Sequence, residues 1–416
     1  MIFRLAFTSL MARSLTVGMT ILAIGLSVAL FTAVETVRNG ARASFADTIS
    51  GTDLIVGARS GSVQLLLYAV FRIGNATNNI TWQSYQDLAS RPQIDWIVPI
   101  SLGDSHRQFR VMGTNNAFFK YYQYRQGQNL AFADGVIFSD LFDTVVGYDV
   151  AQTLGYAIGD PIVVAHGLNS FTEHKDQPFR VSGILEKSGT PVDRTVMVSI
   201  EAIEAIHIDW RSGAKIPGQT TPLDTIRQMD LTPQAVTAAL IGVKSPLQTF
   251  ALQRSINQYP LEPLLAILPG VALQELWGIV SIAETALLAV SVMIVVTALI
   301  GMMTTIFSSL NERRREMAIY RSMGASPCTI LSLLILEALL TATAGALLGL
   351  GLMYAGLFVA QPLIDHVFGL FLPLEPPALR ELLILLAVVT AGGIVSLVPA
   401  LRAYRLSLAD GMMVRI

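Results

Sequence analysis

The 416-residue chain is 52% hydrophobic and only 14% charged, with a net charge of −2 and a mean hydropathy of +0.55. Ordinary soluble proteins carry about 25% charged residues, so the composition excludes a wholly soluble chain. The near-neutral balance excludes a basic nucleic-acid-binding field, and the single cysteine, Cys328, excludes an intramolecular disulfide.

The chain opens on Phe3-Arg4-Leu5-Ala6-Phe7, an amphipathic lead expected at the inner interface over residues 1–14. Uncharged apolar runs then occupy residues 15–34, 285–310, 338–364 and 382–401. Each reaches the roughly 20 residues that cross a hydrocarbon core. Ala41-Arg42-Ala43 has the small-x-small form of a signal-peptidase site. The first run is longer than a 7–15-residue signal core, and Glu35 and Arg38 separate it from that site, so it reads as a retained helix. Arginines set the orientation. Arg4 and Arg13 precede the first run; Arg313, Arg314, Arg315 and Arg321 follow the second; Arg402, Arg405 and Arg415 follow the fourth. The other side has only Arg38, Arg42 and Arg380 near span ends, so both termini and residues 311–326 are expected in the cytoplasm.

Residues 38–275 carry 18 basic and 21 acidic side chains and have globular composition. Strands are expected over residues 52–57, 94–100, 108–112, 135–139, 161–165, 179–186, 195–198, 238–243 and 264–268. Helices are expected over 81–90, 148–154, 200–207 and 246–257, with 211–222 as a linker. Strands alternating with short helices predict a mixed α/β layer. Residues 273–310 read as one helix about 57 Å long, some 25 Å more than the core requires, with a break at Gly278 as the alternative. The expected fold is therefore an α-helical membrane domain of four transmembrane helices plus a large extracytoplasmic α/β domain. In chain order this gives an interfacial helix (1–14), a first transmembrane helix (15–37), the outer domain (38–272) and a stalk with the second transmembrane helix (273–310). An inner loop (311–326), a third transmembrane helix (327–360), a short outer loop (361–380), a fourth (381–402) and a cytoplasmic tail (403–416) follow.

The inner loop runs Asn311-Glu312-Arg313-Arg314-Arg315-Glu316-Met317-Ala318-Ile319-Tyr320-Arg321-Ser322-Met323-Gly324-Ala325-Ser326. Met317, Tyr320 and Met323 recur every third residue and are expected to share a helical face. Gly324 ends that helix, and Ser326-Pro327 restarts the next as N-cap and first-turn proline. Spacing alone leaves two readings open: arginines that meet lipid phosphates, or a surface helix that docks a cytoplasmic partner.

These residues resemble the signature of FtsX-like permeases, the membrane subunits of the MacB and lipoprotein-releasing class of ABC transporters. The resemblance runs from Glu312 to Glu316, through Arg321-x-x-Gly324-Ala325-Ser326, to Glu337 within the third span. The start, Phe3-x-x-Ala6-Phe7-x-x-Leu10, is similar to that family's first-span lead. Val145-Val146-Gly147-Tyr148-Asp149-Val150-Ala151 and Gly159-Asp160 resemble its MacB-type periplasmic core domain. So do Val181-x-Gly183-Ile184-Leu185 and Gly189-Thr190-Pro191-x-Asp193; the ending Pro399-Ala400-x-Arg402-Ala403 is also similar.

The resemblance implies a mechanotransmitting permease in the cell inner membrane with its large domain in the periplasm. Two chains would pair, as homodimer or sibling heterodimer, among membrane lipids, with a periplasmic or adaptor protein outside. An ABC ATPase subunit would dock at Glu312, Arg313, Glu316, Tyr320, Arg321, Gly324 and Ala325. No Gly-x-x-x-x-Gly-Lys-Ser/Thr phosphate loop occurs in the sequence, so ATP and Mg are expected only through a separate ATPase. No cofactor and no enzymatic chemistry are expected in this chain. Export, extraction or translocation of an unidentified substrate is the function implied. The alternatives are a regulator that activates a periplasmic partner without transport, and an accessory of metal acquisition.

Gly189–Arg194, with Thr190, Asp193 and Arg194 clustered, admits a ligand-loop reading, but the reading taken is a tight turn joining two strands with Asp193 bonding local backbone. Glu284 and Glu337 lie at or inside span edges, where carboxylates are costly. Gly345, Gly349 and Gly351 and the pair Gly392-Gly393 read as close helix packing. The five histidines, His106, His166, His174, His207 and His366, show no metal-ligand spacing. His166 and His174 with Glu173 and Asp176 offer at most a loose surface cluster; they are taken as exposed loop residues, and no metal site is expected.

Overall fold

The structure, a computed structural model, describes residues 2–125, 127–167, 174, 176–211, 214–216, 221–312, 314–368 and 376–405. The described residues group into two compact units, a helical one drawn from 1–40, 281–363 and 372–416 and an α/β one drawn from 41–280 and 364–371.

Among the described residues four helices are long and apolar enough to cross a membrane. The lead Ile2–Ala12 is helical, and the first long helix is Ser14–Asp47. Ala41-Arg42-Ala43 lies inside that helix. Pro269–Glu312 is a single helix of 44 residues with no break at Gly278. Pro327–Phe368 exceeds the expected third span, and Leu379–Arg405 supplies the fourth. The expected outer loop thus shortens at its start, and residues 369–375 lie outside the described ones. Within the helical unit, Ile24 and Val28 pack with Leu299, Met302, Ala338, Ala346, Leu385 and Val388. Small residues permit this approach. A Cβ on Gly349 would stand 2.6 Å from the Gly25 carbonyl oxygen, and one on Gly345 would stand 2.7 Å from Ile24. Gly392 meets the Ala342 methyl in the same way, whereas Gly351 faces open space.

The α/β unit is built on a mixed sheet of eleven strands. They are β1 (Leu54–Ala58), β2 (Ile94–His106), β3 (Phe109–Thr114), β4 (Phe132–Gly135), β5 (Asp143–Val146), β6 (Pro161–Ile162), β7 (Ala165–His166), β8 (Phe179–Leu185), β9 (Thr195–Ser199), β10 (Ala238–Val243) and β11 (Leu264–Ile267). Their order is β11-β1-β10-β2-β3-β9-β5-β8-β4, with β7 on β2 and β6 on β8. The β8–β5 and β9–β3 pairs are parallel and the remainder antiparallel. In β8 the side chains of Phe179, Val181 and Leu185 are buried and Arg180 is exposed, the two-residue alternation of a strand with one covered face. Burying each such apolar side chain stabilises by about 1.5–3 kcal/mol.

Two expectations fail locally. The strand placed at 135–139 lies at Phe132–Gly135, because Gly135 turns the chain at φ +74°. The strand placed at 161–165 divides into β6, paired with β8, and β7, paired with β2. Of the supposed linker, Trp210–Arg211 pairs with Ala214–Lys215; 212–213 and 217–220 lie outside the described residues. Helix Ile200–His207 is capped at its start by Ser199, whose Oγ accepts the Ala202 N–H at 3.2 Å. That cap fixes the helix phase that carries His207 at its far end.

Candidate functional site

In the inner loop, Glu312 ends the long helix and Arg313 lies outside the described residues. A short helix, Arg314–Ser322, follows, with Glu316 in its first turn and Arg321 in its last. The positions of those two residues suit the helix dipole. Gly324, at φ +95°, closes the helix: its N–H donates to the Arg321 carbonyl and that of Ala325 to the Tyr320 carbonyl, both at 3.0 Å. This pair of bonds is the Schellman arrangement, which requires a left-handed residue at that position. Ser326 Oγ then accepts the Thr329 N–H at 3.2 Å and caps the helix that begins at Pro327. Met317 is buried with Leu310, Ile330, Leu334 and Ala400, while Met323 is 70% exposed. Met317 and Met323 therefore do not share a face, contrary to the expectation from their spacing. Residues three apart lag 60° in a 3.6-residue turn, so two steps carry Met323 about 120° away from Met317.

Glu337 is buried, and its Oε2 lies 3.3 Å from Arg13 Nη2. Arg13 sits at the junction of the lead helix and the first span. Glu284 is half-buried on its helix. A second carboxylate, Glu35, was missed as a site residue. It is buried and receives Arg38 at 3.1 Å, Arg380 at 2.6 Å and Asn39 at 3.2 Å. Arg38 and Arg380 are two of the arginines that run against the inside-positive bias, and both pair with the Glu35 carboxylate.

In the α/β unit, the residues of the Gly189–Asp193 motif satisfy one another. Asp193 is buried and accepts the Ser188 N–H at 2.9 Å, the Ser188 hydroxyl at 2.7 Å and the Gly189 N–H at 2.6 Å. Burial pushes its carboxyl up, against the pull of those three donors. Thr190 caps the 3₁₀ turn Pro191–Arg194. Asp160 Oδ2 likewise accepts the Ala157 N–H at 2.8 Å, beside Gly159 at φ +94°. Gly183 sits in mid-β8 opposite Gly135. These residues form turns and strand contacts.

The histidines depart furthest from expectation. β7 pairs with β2 so that His166 faces Asp104 across the ladder. His207 arrives from the end of its helix, and His174 is held by its own N–H on the Val164 carbonyl at 2.8 Å. The side-chain ligand atoms of Asp104, His166, His174 and His207 all lie within 4.8 Å of one another. His166 Nδ1 stands 3.1 Å from His207 Nε2 and 3.3 Å from Asp104 Oδ1, and His207 Nε2 is 3.7 Å from the same oxygen. His174 is only 2% exposed, and Trp210 lies against it at 4.1 Å between ring centroids. Burial, reinforced by the neighbouring His207, pushes His174 down to about 4, so the ring is neutral at neutral pH. The Asp104 carboxylate, 3.3 Å from its Nδ1, raises His166. His174 is thus no exposed loop residue. Asp176 is not among the gathered groups, and Glu173 lies outside the described residues. No local spacing signalled this set, because its members lie 62, 8 and 33 residues apart in sequence.

Comparison with known proteins places these features. Residues 17–258 match the family profile of the MacB-like periplasmic core domain, and residues 288–408 that of the FtsX-like permease C-terminal region. An uncharacterized ABC transporter permease of Methanocaldococcus jannaschii is 23% identical over 236 residues, 56% of this chain and 52% of that protein. The chain thus spans about half the length of the curated relative it matches. The extracellular domain of the noncanonic ABC-type transporter YknZ from Gram-positive bacteria aligns over 52% of this chain and 99% of its own, at 13% identity and TM-score 0.31. The periplasmic region of MacB from Actinobacillus actinomycetemcomitans aligns over 55% of this chain and 94% of its own, at 10% identity and TM-score 0.35. With the two family profiles matched over 17–258 and 288–408, this chain belongs to the FtsX/MacB-type family of ABC transporter permeases.

Proposed function

We propose that the chain is the permease subunit of an ATP-driven machine whose ATPase is a separate polypeptide, docked on the helix Arg314–Ser322. The observation that carries this reading is the form of that segment. A short helix with a polar surface is delimited by the Gly324 closure and the Ser326 cap, and it is pinned by Met317 against apolar helix ends. Such a helix offers a rigid, shallow surface for a partner. The arginine distribution supports a cytoplasmic placement of both termini and of this helix, with the α/β unit outside.

The helix Pro269–Glu312 is about 66 Å long, roughly twice a hydrocarbon core. Its residues 269–280 group with the α/β unit and 281–312 with the helical unit. Motion imposed on residues 311–326 by nucleotide-driven closure would travel along that one element to the outer domain. A pair of such chains, as homodimer or sibling heterodimer, would let two outer domains approach and separate around a substrate or outer partner. This favours export, extraction or translocation over passage through a cavity.

Purification from native membranes in mild detergent, with mass spectrometry of associated proteins, tests the reading. An ABC ATPase is expected to accompany the wild-type chain and to be lost from Glu316→Ala/Arg321→Ala.

A further inference from the structure

We infer that Asp104, His166, His174 and His207 form a binding site for one divalent transition-metal ion, with zinc(II) the best chemical match, which ties β2, β7, the His174 segment and helix Ile200–His207 together. The donor set is three imidazole nitrogens and one carboxylate oxygen, all in the α/β unit. A tetrahedron built on bonds of about 2.0 Å has edges of about 3.3 Å. The separations of 3.1, 3.3 and 3.7 Å among His166, His207 and Asp104 bracket that edge. With every ligand atom within 4.8 Å of the others, side-chain adjustment alone brings His174 into the fourth place.

A purely structural histidine cluster is the competing account, and His106 shows what that looks like. Its Nδ1 meets the Val163 carbonyl at 2.6 Å and its Nε2 the Tyr156 hydroxyl at 2.7 Å, so both nitrogens are engaged. His174 differs. Neither of its ring nitrogens has a hydrogen-bond partner among the described residues, although the ring is buried. The backbone of Ile206 pulls on it weakly, short of a full bond. Asp104 Oδ1 is also buried without a well-aligned donor. Polar atoms left in this way cost stability unless something satisfies them. A Lewis acid would satisfy both at once.

Orientation also fits. His207 Nδ1 lies 2.6 Å from the Ile203 carbonyl oxygen. That bond puts its proton on Nδ1 and leaves the Nε2 lone pair facing the cluster, the outer hydrogen bond that steers ligating histidines elsewhere. Trp210 packs against His174, which is buried from solvent. The absence of thiolate from these four disfavours copper(I), and three imidazoles disfavour magnesium and calcium. Four protein ligands leave no open position for catalysis, so the ion would hold segments together instead of activating water.

The test uses the full-length protein in mild detergent, stripped with a chelator and titrated with zinc(II) against a chromophoric competitor. One equivalent per chain is expected, with Kd below about 0.1 µM. Cobalt(II) should give the intense visible bands of a tetrahedral site. His207→Gln and Asp104→Asn should each weaken binding more than about 100-fold, since even outer-shell changes cost 10–100-fold. Should a variant fail to fold, X-ray absorption on the zinc-loaded wild type decides: a four-coordinate nitrogen/oxygen shell with imidazole scattering supports the site. Binding weaker than about 10 µM, binding unchanged in both variants, or a six-coordinate oxygen shell overturns it.

Discussion

Arg13 Nη2 stands 3.3 Å from Glu337 Oε2, joining the start of the first span to the interior of the third. A carboxylate placed there without a partner would be expensive, and the pair removes most of that expense. Removing one partner of a fully buried pair costs 3–5 kcal/mol. Arg13 remains about a quarter exposed, so Glu337→Ala should cost about 2 kcal/mol. The double variant Arg13→Ala/Glu337→Ala should recover part of it. Thermal denaturation in detergent measures both, and additive losses would mean that the two residues do not act as a pair.

The helical unit closes on glycine. Gly349→Leu would drive a side chain into the Gly25 carbonyl, and Gly345→Val would meet Ile24. Each is expected to cost about 1–3 kcal/mol, the usual range for overpacking, and to lower the yield of monodisperse protein. Gly351→Ala, which enters open space, should be neutral in the same size-exclusion and melting assays.

Acid lability should centre on Asp143. Burial pushes its carboxyl up, but the N–H groups of Asp140 and Ser139 and the Arg180 guanidinium at 3.0 Å outweigh burial and hold it below the usual carboxylate range. A depressed folded pKa means stability that is fully present above the unfolded value of about 3.9. That stability is lost as the pH falls through the folded value. Arg180 is two-thirds exposed, so its share is small and the backbone donors matter most. Asp143→Asn should lower the melting temperature at pH 7 and flatten its fall below pH 4. A variant whose melting curve keeps the wild-type acid slope would refute this.

How far this was legible in advance varies by element. The four membrane helices were plain, because twenty uncharged apolar residues have no other economical reading. Strands with one covered face, such as Phe179–Leu185, showed their alternation. Asp143–Val146 did not, since all four of its residues are buried and the two-residue period disappears. The inner-loop caps at Gly324 and Ser326 could be read from residue type, whereas the facing of Met323 could not, because a three-residue repeat drifts around a helix. Glu35 was hidden in the first span's flank, its partner Arg380 lying 345 residues on. Of the Asp104–His166–His174–His207 set, only His166 and His174 could be grouped from the sequence, and Asp104 and His207 join them for the same long-range reason. The set is created by the β2–β7 ladder and the phase of helix Ile200–His207, both long-range outcomes of folding.

Orientation is checked with the exposed Cys328. A membrane-impermeant thiol reagent should leave it unlabelled in intact spheroplasts and label it after lysis. A Cys328→Ser/Leu247→Cys chain, altered at a position 93% exposed in the α/β unit, should label without lysis. The opposite pattern would reverse the assigned topology.

The docking of an ATPase on the inner-loop helix is tested most directly by a photo-crosslinking residue at Met323, irradiated in native membranes and analysed by mass spectrometry of the adduct. An adduct with an ABC ATPase is expected at Met323 and none at Phe358, an exposed apolar position far along the third span's helix. An ATPase that co-purifies yet crosslinks equally at both positions, or no ATPase adduct at Met323, would contradict it.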